Sequence, residues 1–244
     1  MLNNNLISAV KKGCLDSVKY LVENGSEINW VSMTPADGSP PLHCAYKSGY
    51  LEIIRYLLES GADVNQEDRY GYLSSRKLEC VSGVSLLQRA VHRGDLQTIH
   101  YLVSEKNVNI NAVIGGCAAI HLATEAKNFE IVKYLLENGA DVNTQDVNGD
   151  SSLHYSCVFI DTDPFYTLYF LAYGANLKLV NQKGGTPLTA LETHIGYQNI
   201  VSYFLKPYIQ DEKNFDTIKR PNPTVIYDLY KLGCNGNEVL AAFI

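Results

Sequence analysis

Residues 132–143 read VKYLLENGADVN, and the same phrase returns as IRYLLESGADVN at 54–65 and VKYLVENGSEIN at 18–29. Looser copies stand at 169–177, YFLAYGANL, and at 100–111, HYLVSEKNVNIN. A second block recurs as PLHCA at 41–45, LLQRA at 86–90, AIHLA at 119–123, SLHYS at 152–156 and PLTAL at 187–191. Its equivalent residues Leu42, Leu87, Ile120, Leu153 and Leu188 are 45, 33, 33 and 35 positions apart, so one period of 33 recurs and the excess marks insertions. A period of this size means stacked units that bury their apolar faces against neighbours, not one core wrapped by the whole chain.

Each period reads as two short helices and a polar connection. The first helix is rich in small residues such as Ala123, while the second sets Ile131, Val132, Leu135 and Leu136 on one face at helical spacing. Gly25, Gly61, Gly139 and Gly174 follow the second helix, where a left-handed residue closes it. The connection TQDVNGD, 144–150, carries the turn dipeptide Asn148-Gly149.

The blocks at helix starts, GADVN at 61–65 and 139–143, and the period of 33 together resemble ankyrin repeats. The resemblance implies an all-α ankyrin-repeat solenoid of about six helix-turn-helix repeats with β-hairpin fingers and a C-terminal helical segment. A repeat domain is expected over 1–206, with repeats at 4–37, 38–82, 83–114, 115–148, 149–183 and 184–206. The first unit lacks the leading block and the last lacks the GADVN end, as terminal caps do. A linker is expected at 207–223, proline-bearing and polar, and then a helical segment, 224–244, with Thr224 as its cap. That segment either docks on the last repeat or begins a further, truncated domain. Three places depart from the period: 30–37, the finger after Asn65 with about a dozen extra residues through Ser82, and 160–163 inside the fifth unit. Long connections in compact folds carry function or are disordered.

The remaining composition narrows the function. Twenty basic and 26 acidic residues give a net charge of −6, which disfavours nucleic acid as a partner. No apolar run reaches the ~18 residues of a membrane span, and the opening MLNNNLISAVKKG lacks a leader's pattern, so neither secretion nor membrane insertion is expected. Six cysteines without a CxxC pair read as buried thiols in a reducing compartment, cytoplasmic or nuclear. His43, His121 and His154 share one repeat position; metal ligation is not expected, since equivalent residues one repeat apart are too distant to share an ion, and the resemblance makes them structural hydrogen-bonding groups. No nucleophile, phosphate-loop or zinc-helix motif is present, so no enzyme activity and no cofactor are expected.

A binding surface remains. The resemblance places partner contacts on a concave face built from first-helix ends and finger tips, here Lys47, Tyr50, His92, Arg93, Ile114, Glu125, Val147, Asp150 and Phe159. Ser39, Val84 and Asn148 belong to the same finger register, and Tyr50, Val84, Ile114, Val147 and Phe159 would form an unusually apolar exposed run. Aromatic and arginine anchors dominate binding energy, which adds Trp30, Tyr70 and Tyr72. The alternative for Trp30 is a fold-back over the first repeat. The expected function is non-catalytic recognition of a protein partner by a monomeric adaptor or scaffold. The competing expectation is a targeting segment of a larger enzyme, or of a viral or bacterial effector acting in the host cytoplasm.

Overall fold

The computed structural model describes residues 2–31, 38–68, 83–106, 108–157, 165–192 and 222–234. The extra residues at 32–37, the tip of the long finger at 69–82, the insertion at 160–163 and most of the expected linker lie outside these. The chain folds as two compact units, 1–119 and 120–244. No helix among the described residues is long and apolar enough to cross a membrane.

In the first unit helices pair in sequence: α1 (Leu2–Lys12) with α2 (Leu15–Glu23), α3 (Pro41–Ser48) with α4 (Leu51–Glu59), and α5 (Leu86–Arg93) with α6 (Leu96–Glu105). The second helix of each pair hides a narrow apolar face, as Ile53, Ile54, Leu57 and Leu58 do on α4. First helices are buried along most of their length, Leu42 through Tyr46 on α3 and Leu86 through Val91 on α5. Small side chains such as Ala45 and Ala90 allow that close approach. Polar side chains fix the ends. Ser85 and Gln88 form a capping box on α5, and Asp95 accepts the Thr98 amide at the start of α6.

The second unit repeats the scheme with α7 (Ala119–Glu125) and α8 (Phe129–Glu137), then α9 (Ser152–Cys157) and α10 (Phe165–Ala172), then α11 (Pro187–Glu192). Helix α10 is buried from Phe165 to Leu171 because α9 and a last helix, α12 (Pro223–Lys231), cover it from two sides. Helix α12 is capped by Asn222, whose side chain accepts the Thr224 amide, with Pro223 at the first helical position. Thr224 is therefore not the cap: proline at that place needs no amide partner and leaves the role to the residue before it. Tyr227 and Tyr230 of α12 stack on Phe129, with ring centroids at 6.3 and 4.3 Å, and Ile226 is fully buried. Tyr227 Oη donates to Glu130, which also pairs with Lys231. Burial alone would raise the Glu130 carboxyl, yet the hydrogen bonds from Lys231 and Tyr227 hold it below the usual range. The seat of α12 is thus the flank of α8 and α10.

The asparagines that end the GADVN phrase tie successive repeats together. Asn29 Oδ1 accepts the amide of Asp63 at 2.8 Å, Asn65 that of Asn109 at 2.9 Å, and Asn143 that of Asn176 at 2.7 Å. Between them run the fingers. Among the described residues these contain no extended strand, only single bridges such as Ile114 with Cys117 and Gln145 with Ser151.

Candidate functional site

The exposed edge of each unit is built from the ends of the first helices and the fingers. Two of the described fingers, at 144–150 and 177–185, are each tied together by one side chain. Asp146 Oδ1 accepts the amides of Asn148 and Asp150, both at 2.8 Å, and its other oxygen takes the Tyr155 hydroxyl at 2.7 Å. Asn181 repeats the device on Lys183 and Gly185 and donates to Asp150. The two fingers also touch through backbone, Gln182 donating to the Asn148 carbonyl at 2.8 Å. Gly149 sits at that contact with φ +77°, where a Cβ would stand 2.9 Å from Asn181 Cα. What this fixed turn shows to solvent is Val147, 51% exposed.

The long finger keeps the same root. Asp68 and Val84 exchange two backbone hydrogen bonds, 2.9 and 3.2 Å, just as the Asp146 amide reaches Asp150. Residues 69–83 are spliced between them, where the short finger holds 147–149. Asp68 is buried, and its carboxylate takes Ser39 Oγ at 2.9 Å, Lys47 Nζ at 2.7 Å and Arg89 Nη2 at 2.9 Å. Burial alone would raise its pKa, but the bond from Lys47 and the adjacent cations bring it below the ordinary carboxylate value. A further cluster joins α3 to α5: Tyr46 donates to Asp95 at 3.1 Å, and the Arg93 guanidinium lies 4.9 Å over the Tyr46 ring while donating to its carbonyl.

The expected site residues are placed as follows. Lys47, His92 and Arg93 are exposed at first-helix ends, Glu125 is half-buried on α7, and Asp150 is half-buried beneath the Asn181 amide. Tyr50 is half-buried, its ring against Gly13 of the preceding turn. Ile114 is half-buried because its amide and carbonyl close a finger with Cys117. Trp30 is half-buried just beyond α2, its amide donating to the Glu27 carbonyl. Tyr70, Tyr72 and Phe159 lie outside the described residues. The exposed apolar run does not form as expected: Val84 is 1% exposed, since pairing with Asp68 turns its side chain into the core. Nor are all the thiols hidden; Cys44, Cys117 and Cys157 are buried while Cys14 is exposed.

The recurrent histidines bond within the fold. Nε2 of His43 meets the carbonyl of Gln66 and that of His121 the carbonyl of Thr144, each at 2.9 Å. His154 Nδ1 accepts the Ser151 amide. Gln88 holds the histidine's place in the third repeat, accepting the Ser85 amide and donating to the carbonyls of Ile114 and Cys117. His43 differs because Pro40 stands where Ser85 and Ser151 supply an amide. Its Nδ1 is buried without a partner, and burial takes its pKa down to about 4. Among the described residues no group of three His, Cys, Asp or Glu side chains could hold a metal ion.

Comparison with known proteins agrees with this architecture. The family model described as ankyrin repeats (3 copies) matches residues 3–68 and 73–146, and a second, ankyrin repeats (many copies), matches 120–180. Protein phosphatase 1 regulatory subunit 27 of Mus musculus is 26% identical over 140 residues, 57% of this chain and 88% of that protein. A putative ankyrin repeat protein of fowlpox virus is 31% identical over 165 residues, 66% of this chain and 47% of that one. Among solved structures, the human ASB11 ankyrin repeat domain is similar with a TM-score of 0.54 and 29% identity, over 76% of this chain and 75% of that one.

Proposed function

The chain belongs to the ankyrin-repeat family, a family of protein-interaction modules, and from that premise we propose that it is a non-catalytic adaptor. It takes its partner protein on the edges that first-helix ends and finger tips form on each unit. The observation that carries this reading is the finger at 144–150, whose turn is held by three hydrogen bonds to Asp146 while Val147 faces solvent. An apolar side chain displayed on a preformed turn loses little ordering entropy when it is covered. Arg93, held over Tyr46, offers a second restrained anchor of the type that dominates interfaces. Fold alone does not identify the partner. The regulatory-subunit name of one relative supports a binding role and adds no catalytic one. Cys44, Cys117 and Cys157, buried as thiols and not joined in disulfides, support a reducing compartment, cytoplasmic or nuclear.

Affinity capture from the cells that contain the protein tests this reading. Exchange of Tyr50, Arg93 and Val147 for alanine together, with folding verified by circular dichroism, is expected to lose the captured partner. Undiminished capture overturns the assignment to these edges. A second reading, a targeting segment of a longer effector, is favoured by the fowlpox relative, of whose length this chain spans 47%. An intact mass of the protein from its native cells separates the two.

A further inference from the structure

The second helix of the fifth repeat carries apolar residues where the others carry charges. Lys19, Arg55 and Lys133 share one register position on α2, α4 and α8, and Asp16, Glu52 and Glu130 share another. On α10 these places hold Leu168 and Phe165, both buried. The start of α8 departs in the same sense. Phe129 stands there in the register of Leu15, Leu51 and Leu96; Leu51 is 54% exposed and Phe129 1%. An apolar floor thus lies where the repeat leaves a solvated face, and α12 covers it. Tyr230 stacks on Phe129 at 4.3 Å and stands edge-on to Phe165 at 5.5 Å, while Ile226 is fully buried.

The rim of this floor is polar. Glu130 takes the Tyr227 hydroxyl at 2.9 Å and pairs with Lys231, and the Lys133 ammonium lies 4.7 Å over the Tyr227 ring. The hold on α12 is nevertheless shallow. Ile226 is the one buried residue of its nine, and Lys231 is 54% exposed. An exposed ion pair adds little to such a hold. Nine residues fall short of the ~12–15 that an isolated helix needs in water, so α12 depends on its seat for its helical form. It also comes to that seat from outside the repeat, since residues 193–222 separate it in sequence from α11. A short segment that is helical only when seated behaves as a bound ligand that shares the chain.

We infer that the flank of α8 and α10 is a second binding site, and that α12 keeps it closed as an internal ligand. The site is made for a short amphipathic helix of the pattern apolar-Tyr-x-x-Tyr-Lys, as residues 226–231 show. A partner helix of that pattern displaces α12, setting aromatic rings on Phe129 and Phe165 and a cation beside Glu130. The site is separate from the finger edges, and its test does not depend on them. The probe is a fluorescein-labelled peptide with the sequence of residues 222–232, followed by fluorescence anisotropy against the full chain. An internal ligand lowers a competitor's apparent affinity by the fraction of sites left open. Ile226→Asp, which sets a charge in the buried position and releases α12, is therefore expected to tighten peptide binding about tenfold or more over the unaltered chain. Lys231→Glu, which opposes Glu130 at the exposed rim and leaves the floor intact, is expected to tighten it to a smaller extent. Adding Glu130→Lys to the Ile226→Asp chain is expected to undo the gain, and a peptide carrying Ile226→Asp is expected not to bind. Equal binding by the unaltered and released chains, or no binding by any of them, overturns the inference. So does loss of cooperative unfolding in both released variants, which would make α12 a fixed part of its unit.

Discussion

Asp68 and Asp146 occupy the same place at the roots of two fingers, and the molecule uses them differently. Asp146 is an organiser of a tight turn, giving both oxygens to groups in the stretch directly after it, Asn148, Asp150 and Tyr155. Beside Asp68 the sequence places residues 69–83 before Val84, where the short finger has only 147–149. The Asp68 carboxylate instead gathers Ser39, Lys47 and Arg89 from two repeats into a buried clamp. The aspartate of one register position thus organises a closed turn at 146 and gathers cations from neighbouring helices at 68.

The largest effect should come from removing that charge. Asp68→Asn leaves the Arg89 guanidinium buried and unpaired, which is expected to cost about 3–5 kcal/mol in urea unfolding. Asp146→Asn removes acceptor strength from neutral hydrogen bonds and is expected to cost about 1–2 kcal/mol. Equal costs would erase the distinction between the two roots. Next in size is the pH response of His43, at the root of the long finger. The folded chain keeps it neutral down to about 4, while the unfolded chain takes up a proton near 6.5. Its contribution is therefore fully present above pH 6.5 and is lost as pH falls from 6.5 to 4, about 3 kcal/mol in all. His43→Gln, the residue the chain itself uses at 88, should flatten stability across that window, and an unchanged slope would contradict the assignment. The smallest effect concerns Lys127, which adopts φ +51° where Gly49 and Gly94 stand in the first unit. Lys127→Gly is expected to raise stability by about 1 kcal/mol; thermal melting that shows no gain would mean the lysine compensates its strain elsewhere.

The period, the helix pairs and the glycine stops were legible in the sequence because they rest on local spacing. The residues that couple repeats were not. Gln88 in the histidine's place, and the orphaned Nδ1 that Pro40 leaves on His43, become visible only when the repeats are aligned against the geometry of one cap. The Asp68 clamp joins residues separated by 21 positions on each side, a pairing no periodicity marks. Val84 reads as a finger tip because it follows the insertion, whereas its pairing with Asp68 makes it the finger's inner end. For the binding surface, register gave the exposed ends Lys47, His92 and Arg93 directly, since exposure there follows from helix geometry. It could not foresee that Tyr50 and Ile114 turn partly inward, which depends on the Gly13 gap and the Cys117 bridge.

Hydrogen exchange of the full chain, with and without its captured partner, tests the central claim most directly. Partner contact on the edges of first-helix ends and fingers is expected to slow exchange at 46–50, 92–95 and 146–150, leaving α2, α4 and α6 as they were. Protection confined to those second helices would contradict the account.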